Sequence, residues 1–326
     1  MVDRSPVIPS PLPGVVIPKF YNAALDLLSR HATRSEKAAY MDATTGETLS
    51  YSQLEDQAYR FAQGLLEAGF QQEQRVLLCM HDSLQWPVVF LGCILAGVVP
   101  VAANTLLTPK DYEFMLQDSR AHGLLVSEAL WPQFADILHT APACKQVFID
   151  SDVPPAHAKS IAQVIRDAQR LPHAATTLAD DVCFWLYSSG STGSPKGTLH
   201  LHSHIIQTAH LYGQGVLGLQ ENDVVFSAAK LFFAYGLGNA LSFPLAQGAT
   251  TVLLGKRATP ADVFHLLKTH QPTVFYGVPT LFASLLADAN RPAAQDLNLR
   301  VCTSAGEALP AEIGKRWQAE FGVEIL

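Results

Sequence analysis

The sequence predicts an α/β fold made of two parallel-sheet α/β subdomains, and three observations carry that expectation. Short, continuously apolar runs, such as residues 75–80, 98–102 and 123–127, read as strands buried on both faces. Helical segments alternate with them, as a parallel sheet covered on both sides requires. A shift toward proline and alanine across residues 151–181 separates two such series, so the subdomains are set at 1–175 and 176–326. With 326 residues, 48% of them hydrophobic, the chain is long enough to bury a large core.

In chain order, residues 22–31 and 52–68 read as amphipathic helices, the second with Ser52 as N-cap and Gly69 as its stop. The strand at 75–80 is followed by a buried helix at 86–96, capped by Gly97. A strand at 98–102, a helix at 109–119 and a strand at 123–127 complete the first series, and an isolated helix surrounds residues 161–169. The second series has strands at 182–187, 224–227, 250–254, 273–276 and 299–303, with helices that include 260–270 and 279–286. Residues 86–103 are uncharged, but Pro87, Gly92, Gly97 and Pro100 interrupt them, so a buried helix and strand fit better than a membrane span.

The net charge of −7, from 22 basic and 29 acidic residues, gives no support for a nucleic-acid or anionic-membrane partner. Cys79, Cys93, Cys144, Cys183 and Cys302 lack metal-ligand spacing and read as thiols of a reducing compartment, so a cytoplasmic setting is expected. Residues 1–18 are proline-rich and lack the apolar core of a signal peptide.

The segment most informative about chemistry is Tyr187-Ser188-Ser189-Gly190-Ser191-Thr192-Gly193-Ser194-Pro195-Lys196-Gly197, directly after the apolar run 182–186. Its glycines let backbone N–H groups close on phosphate oxygens, its hydroxyls donate further bonds, and Lys196 supplies compensating charge. It is not the P-loop of NTPases, because Pro195 stands where that loop needs its second glycine and Gly197, not a hydroxyl residue, follows the lysine. Two other constellations are weaker. His200, His202 and His204 would share one face of a strand, but no carboxylate or cysteine accompanies them, so a zinc site is not expected and no metal-ligating residue is assigned. Asp180 and Asp181, if on a strand, would point to opposite faces, so they read as a solvated turn and not a catalytic pair.

The glycine-rich segment resembles the phosphate-loop signature of adenylate-forming enzymes, Thr-Ser-Gly-Thr-Thr-Gly-x-Pro-Lys-Gly, with Ser188 and Ser191 in place of two threonines. Three further segments resemble that family in the same order. Lys230-Leu231-Phe232-Phe233-Ala234-Tyr235-Gly236-Leu237-Gly238-Asn239 is similar to the lining of the acyl pocket. Tyr276-Gly277-Val278-Pro279-Thr280 resembles a strand-to-helix corner, and Ser304-Ala305-Gly306-Glu307-Ala308-Leu309-Pro310 the adenine-contacting turn. The aromatic segment and Asn104-Thr105-Leu106-Leu107-Thr108-Pro109 look most like benzoate–CoA ligases within the family.

The resemblance implies stacked α/β subdomains and two half-reactions: formation of an acyl-adenylate from ATP and a carboxylate, then transfer of the acyl group to coenzyme A. It implies Lys196 and Thr192 as catalytic residues, acting with Mg²⁺. Ser188, Ser189, Gly190, Ser191, Thr192, Gly193, Lys196, Ser304, Ala305, Gly306 and Glu307 are then expected at the nucleotide. Ala234, Tyr235, Gly236, Phe243 and Tyr276 are expected around an aromatic acid, with Gly236 and Gly238 leaving room for its ring. The expected partner is thus a small aromatic carboxylate. Family members continue with Mg²⁺, ribose and hinge segments and a C-terminal domain bearing a catalytic lysine. The chain is therefore expected to be part of an enzyme, poorly active alone, with an exposed sheet edge and a homodimer admitted. A binding module without turnover and a luciferase-like oxygenase are the alternatives.

Overall fold

The structure, a computed structural model, describes residues 14–188 and 195–326. Its strands are Ala38–Asp42 (β1), Thr48–Ser50 (β2), Arg75–Cys79 (β3), Val99–Ala102 (β4), Gly123–Ser127 (β5), Gln146–Asp150 (β6), Lys159–Ser160 (β7), Val182–Ser188 (β8), Lys196–Leu201 (β9), Val224–Ser227 (β10), Thr250–Leu253 (β11), Val274–Gly277 (β12) and Val301–Ser304 (β13). The α-helices are Ala23–Ser29 (α1), Tyr51–Glu67 (α2), Gln85–Leu95 (α3), Pro109–Asp118 (α4), Pro132–Ala135 (α5), Ile161–Asp167 (α6), His202–Thr208 (α7), Ala234–Leu237 (α8), Phe243–Gln247 (α9), Pro260–His270 (α10), Pro279–Ala287 (α11) and Ala311–Phe321 (α12).

Among the described residues these strands form a seven-stranded sheet, β7-β6-β5-β3-β4-β8-β9, and a six-stranded sheet, β13-β12-β10-β11-β1-β2. Pairing is parallel throughout, except that each sheet ends in one antiparallel pair, β8 with β9 and β1 with β2. Sheet membership does not divide at residue 175. β8 and β9 extend the sheet of the first half, while β1 and β2 join the sheet of the second. Local sequence could not reveal this, since β1 pairs with β11 from the far end of the chain.

Alternation along the strands divides the core into layers. Val76 and Leu78 of β3, Phe184 and Leu186 of β8 and Tyr40 of β1 join Leu54, Phe61 and Leu65 of α2 and the apolar α3 in one buried cluster. That cluster stacks the sheets on a shared helical layer. Leu77, Val101 and Leu124 face the other way, onto Tyr112, Met115 and Phe134 of α4 and α5. Phe226, Val252 and Phe275 pack beneath α10, α11 and α12, centred on Trp317.

Most predicted elements appear within a residue or two. The N-cap of α2 is Ser50 and not Ser52: its hydroxyl accepts the Gln53 N–H at 3.2 Å, and the Gln53 side chain returns the bond to the Ser50 N–H at 2.8 Å. The run at 86–103 forms α3 and β4, separated by Gly97 in a left-handed conformation. Among the described residues no helix is long and apolar enough to cross a membrane.

Candidate functional site

The carboxyl ends of β10, β12 and β13 lie side by side, the edge where open parallel sheets bind ligands. Register places Ser227 beside Tyr276, Tyr276 beside Thr303, and Gly277 beside Ser304. The chain leaves β13 through Ser304-Ala305-Gly306-Glu307, with Gly306 at φ +94°, a conformation L side chains rarely adopt. Gly306 and Glu307 are exposed, whereas the Ser304 hydroxyl and the Tyr276 phenol are buried without a partner among the described residues.

The aromatic segment after β10 folds over this edge. Tyr235, from α8, shares a hydrogen bond of 2.6 Å with the Thr303 hydroxyl, and its ring meets that of Tyr276 edge-on at 6.3 Å. Burial pushes the Tyr235 phenol up to about 12, so it is protonated at neutral pH. Phe243 packs in the same cluster, with Tyr212 tilted against it at 5.8 Å. Ala234 is exposed beside them.

The expectation that Gly236 and Gly238 leave room for a ring is overturned. A Cβ at Gly236 would stand 2.0 Å from the Lys230 carbonyl oxygen, and one at Gly238 would stand 2.7 Å from the Phe243 ring. Both spaces are filled by the protein, so these glycines allow a tight turn and close packing.

Tyr212 and Thr303 are not singled out by residue type, and Asn239 enters only as the last residue of the segment similar to the acyl-pocket lining. Tyr212 and Asn239 sit in two short π-helices, Ala209–Gln214 and Gly238–Ser242, whose extra residue per turn leaves no mark in hydrophobic periodicity. Asn239 is 1% exposed, and its side-chain amide lies beside the Tyr235 phenol. A polar amide inside an apolar helical run was the one available signal.

Ser188 and Lys196 face each other as the last and first residues of the β8–β9 hairpin, and both are exposed. Ser189, Gly190, Ser191, Thr192 and Gly193 lie outside the described residues. Among the described residues, no hydrogen bond or ring contact joins Ser188 or Lys196 to the aromatic cluster.

The histidines do not share one strand face. β9 ends at Leu201 and α7 begins at His202, because His204 Nδ1 accepts the Leu201 N–H at 3.2 Å and starts the helix. His202 is buried and accepts the Ala23 N–H at 3.1 Å, while His200 stacks on Phe184 at 4.6 Å. Among the described residues no group of three His, Cys, Asp or Glu could hold a metal ion. Asp181 closes the turn before β8 by accepting the Leu178 N–H at 2.8 Å, and Asp180 is exposed.

Residues 28–326 match the family profile described as AMP-binding enzyme. The chain is 51% identical over 317 residues to a benzoate–CoA ligase of Thauera aromatica, covering 96% of this chain and 59% of that protein. It is 41% identical over 309 residues to a 4-hydroxybenzoate–CoA/benzoate–CoA ligase of Rhodopseudomonas palustris, covering 94% and 57%. Among solved structures, a benzoate CoA ligase from Burkholderia xenovorans LB400 superposes with a TM-score of 0.87 at 49% identity, covering 94% of this chain and 60% of that one. The chain thus spans about three-fifths of these relatives.

Proposed function

We propose, on the premise that the chain belongs to the AMP-binding enzyme family, that it serves the ATP-dependent activation of benzoate or a substituted benzoate. A carboxylate oxygen attacks the α-phosphorus of ATP, and pyrophosphate leaves. The thiol of coenzyme A then attacks the acyl carbon, and AMP departs with the former carboxylate oxygen. Neither step needs a nucleophile from the protein, so the chain's work is to align the reactants and balance phosphate charge.

The observation that carries this reading is the Tyr235–Thr303 hydrogen bond. It ties the segment proposed to hold the aromatic acid to the strand that leads into the turn proposed to hold adenine, Ser304 to Glu307. Acid and nucleotide must meet for the first half-reaction. Tyr235, Phe243 and Tyr276 would supply the apolar walls, with Ala234 at the exposed rim and Gly236 shaping the turn. In the phosphate loop, Ser188 to Gly193 would wrap the triphosphate, with Thr192 and Lys196 facing the transferred group. Mg²⁺ would accompany the triphosphate. The same reading takes a small aromatic carboxylate as partner, with a homodimer admitted and a cytoplasmic setting.

Separate calorimetric titrations with ATP and benzoate, followed by an assay of pyrophosphate release, test it. Binding of both ligands is expected. Absence of benzoate binding refutes the aromatic-acid reading, and release of pyrophosphate without thioester, accompanied by light or oxygen uptake, favours an oxygenase.

A further inference from the structure

We infer that Asp82 is a positioning residue for aromatic-acid recognition, acting from the opposite sheet on the turn that presents Tyr235. The inference rests on the function proposed above. Asp82 follows β3 in the seven-stranded sheet and is 4% exposed. Its Oδ1 accepts the N–H of Leu231 at 3.1 Å, and its Oδ2 lies 4.0 Å from the Lys230 ammonium. Lys230 also donates to the carbonyls of Leu254 and Lys256, just beyond β11. Segments following β3, β10 and β11 therefore converge on one ion pair, with Asp82 buried and Lys230 partly so.

The turn between that pair and the aromatic cluster has little freedom. The Lys230 carbonyl accepts the Phe233 N–H at 2.9 Å and presses against Gly236. The Ser227 hydroxyl donates to the Ala229 carbonyl at 2.9 Å, and Leu231 and Phe232 are buried in the layer between the sheets. Asp82 thus fixes the turn at Leu231, and Thr303 fixes it at Tyr235. A buried carboxylate is a costly way to hold one backbone N–H, because burial disfavours the charge more than Lys230 restores it. Burial does push Asp82 up to about 6 and draws Lys230 down. The structural gain from such a group is a fixed position for the turn, beyond simple cohesion.

The test compares the parent chain with Asp82→Ala and Asp82→Asn by calorimetric titration with benzoate and, separately, with ATP, alongside thermal melts. Asp82→Ala should weaken benzoate binding about tenfold or more, with ATP affinity held within about twofold. Asp82→Asn keeps an acceptor for the Leu231 N–H and should recover part of the loss. Parental benzoate affinity in a folded Asp82→Ala chain overturns the inference. So does an equal loss for both ligands, which marks a merely structural role. Where Asp82→Ala does not fold, Asp82→Asn decides alone: a loss confined to benzoate supports the inference, and no loss or a shared one overturns it. A parent chain that binds ATP but no benzoate overturns the proposed function and this role together, whereas unchanged variants of a benzoate-binding parent overturn the role alone.

Discussion

Gly236→Ala adds a single methyl group at the point where the aromatic turn is tightest. The new Cβ would stand 2.0 Å from the Lys230 carbonyl oxygen, 2.5 Å from its carbonyl carbon and 2.6 Å from the Ala229 carbonyl oxygen. Comfortable contacts between heavy atoms begin near roughly 3.5 Å, so the turn must open by about 1 Å or more. All three obstacles are backbone atoms, and no side-chain rotation relieves them. Opening the turn costs overpacking strain of about 1–3 kcal/mol. It also strains the Phe233–Lys230 hydrogen bond, worth about 1 kcal/mol. Together these predict a loss of about 2–4 kcal/mol and a melting temperature lower by about 4–8 °C. Gly238→Ala is the internal control. Its Cβ would meet only the Phe243 ring, at 2.7 Å, and a ring can yield, so the loss should stay nearer about 1 kcal/mol. Scanning calorimetry of both variants reads the difference, and benzoate titration should show weaker binding in Gly236→Ala. Equal, parental melting temperatures for the two would refute the steric argument.

Three further outcomes are expected. Lys196→Ala removes an exposed charge, so melting should be unchanged while ATP affinity falls by roughly 1.5–3 kcal/mol; unaltered ATP affinity in a titration would count against the phosphate-loop assignment. Ala234→Phe should overfill the rim of the ring site, weakening benzoate about tenfold or more with ATP binding intact, and parental benzoate affinity would show that the ring binds elsewhere. His31 is 4% exposed, its ring tilted against that of Tyr51 with centroids 3.9 Å apart, and burial lowers its pKa to about 4. The unfolded chain takes up a proton near 6.5 that the folded chain refuses, so this group's contribution is lost as pH falls from 6.5 toward 4, by up to about 3 kcal/mol. Urea midpoints at pH 7.5 and 5 should therefore differ less for His31→Phe than for the parent, and an identical pH dependence would remove His31 from the account.

Local chemistry made much of this molecule legible from its residues. α10 begins at Pro260 as expected because Thr259 and Asp262 cap each other across the first turn. The apolar strands β3, β4 and β5 were equally plain, since buried parallel strands carry no polar alternation to blur them. Sheet membership was hidden, because neither β1 nor β8 records in its own residues which distant strand it will join. The candidate site was legible by segment but not by side-chain task. Gly236 was expected to make space for a ligand and instead makes space for a carbonyl. Asp82 gave no local sign of its neighbours, since it meets the aromatic segment only after the two sheets have stacked.

The exchange of strands between the two sheets also constrains how the chain can acquire its structure. The Thr250 hydroxyl donates to the carbonyl of Ala38 at 2.7 Å across a separation of 212 residues. During synthesis β1 must therefore wait, unpaired on that side, until β11 has left the ribosome. The loop closed by this pairing is long, and its entropy must be met before the contact repays it. Assembly should accordingly be late and slow, with the apolar residues of β1 and α2 exposed in the interval. A protein interlocked in this way should resist piecemeal unfolding once assembled, because neither sheet can be dismantled without drawing strands from the other half.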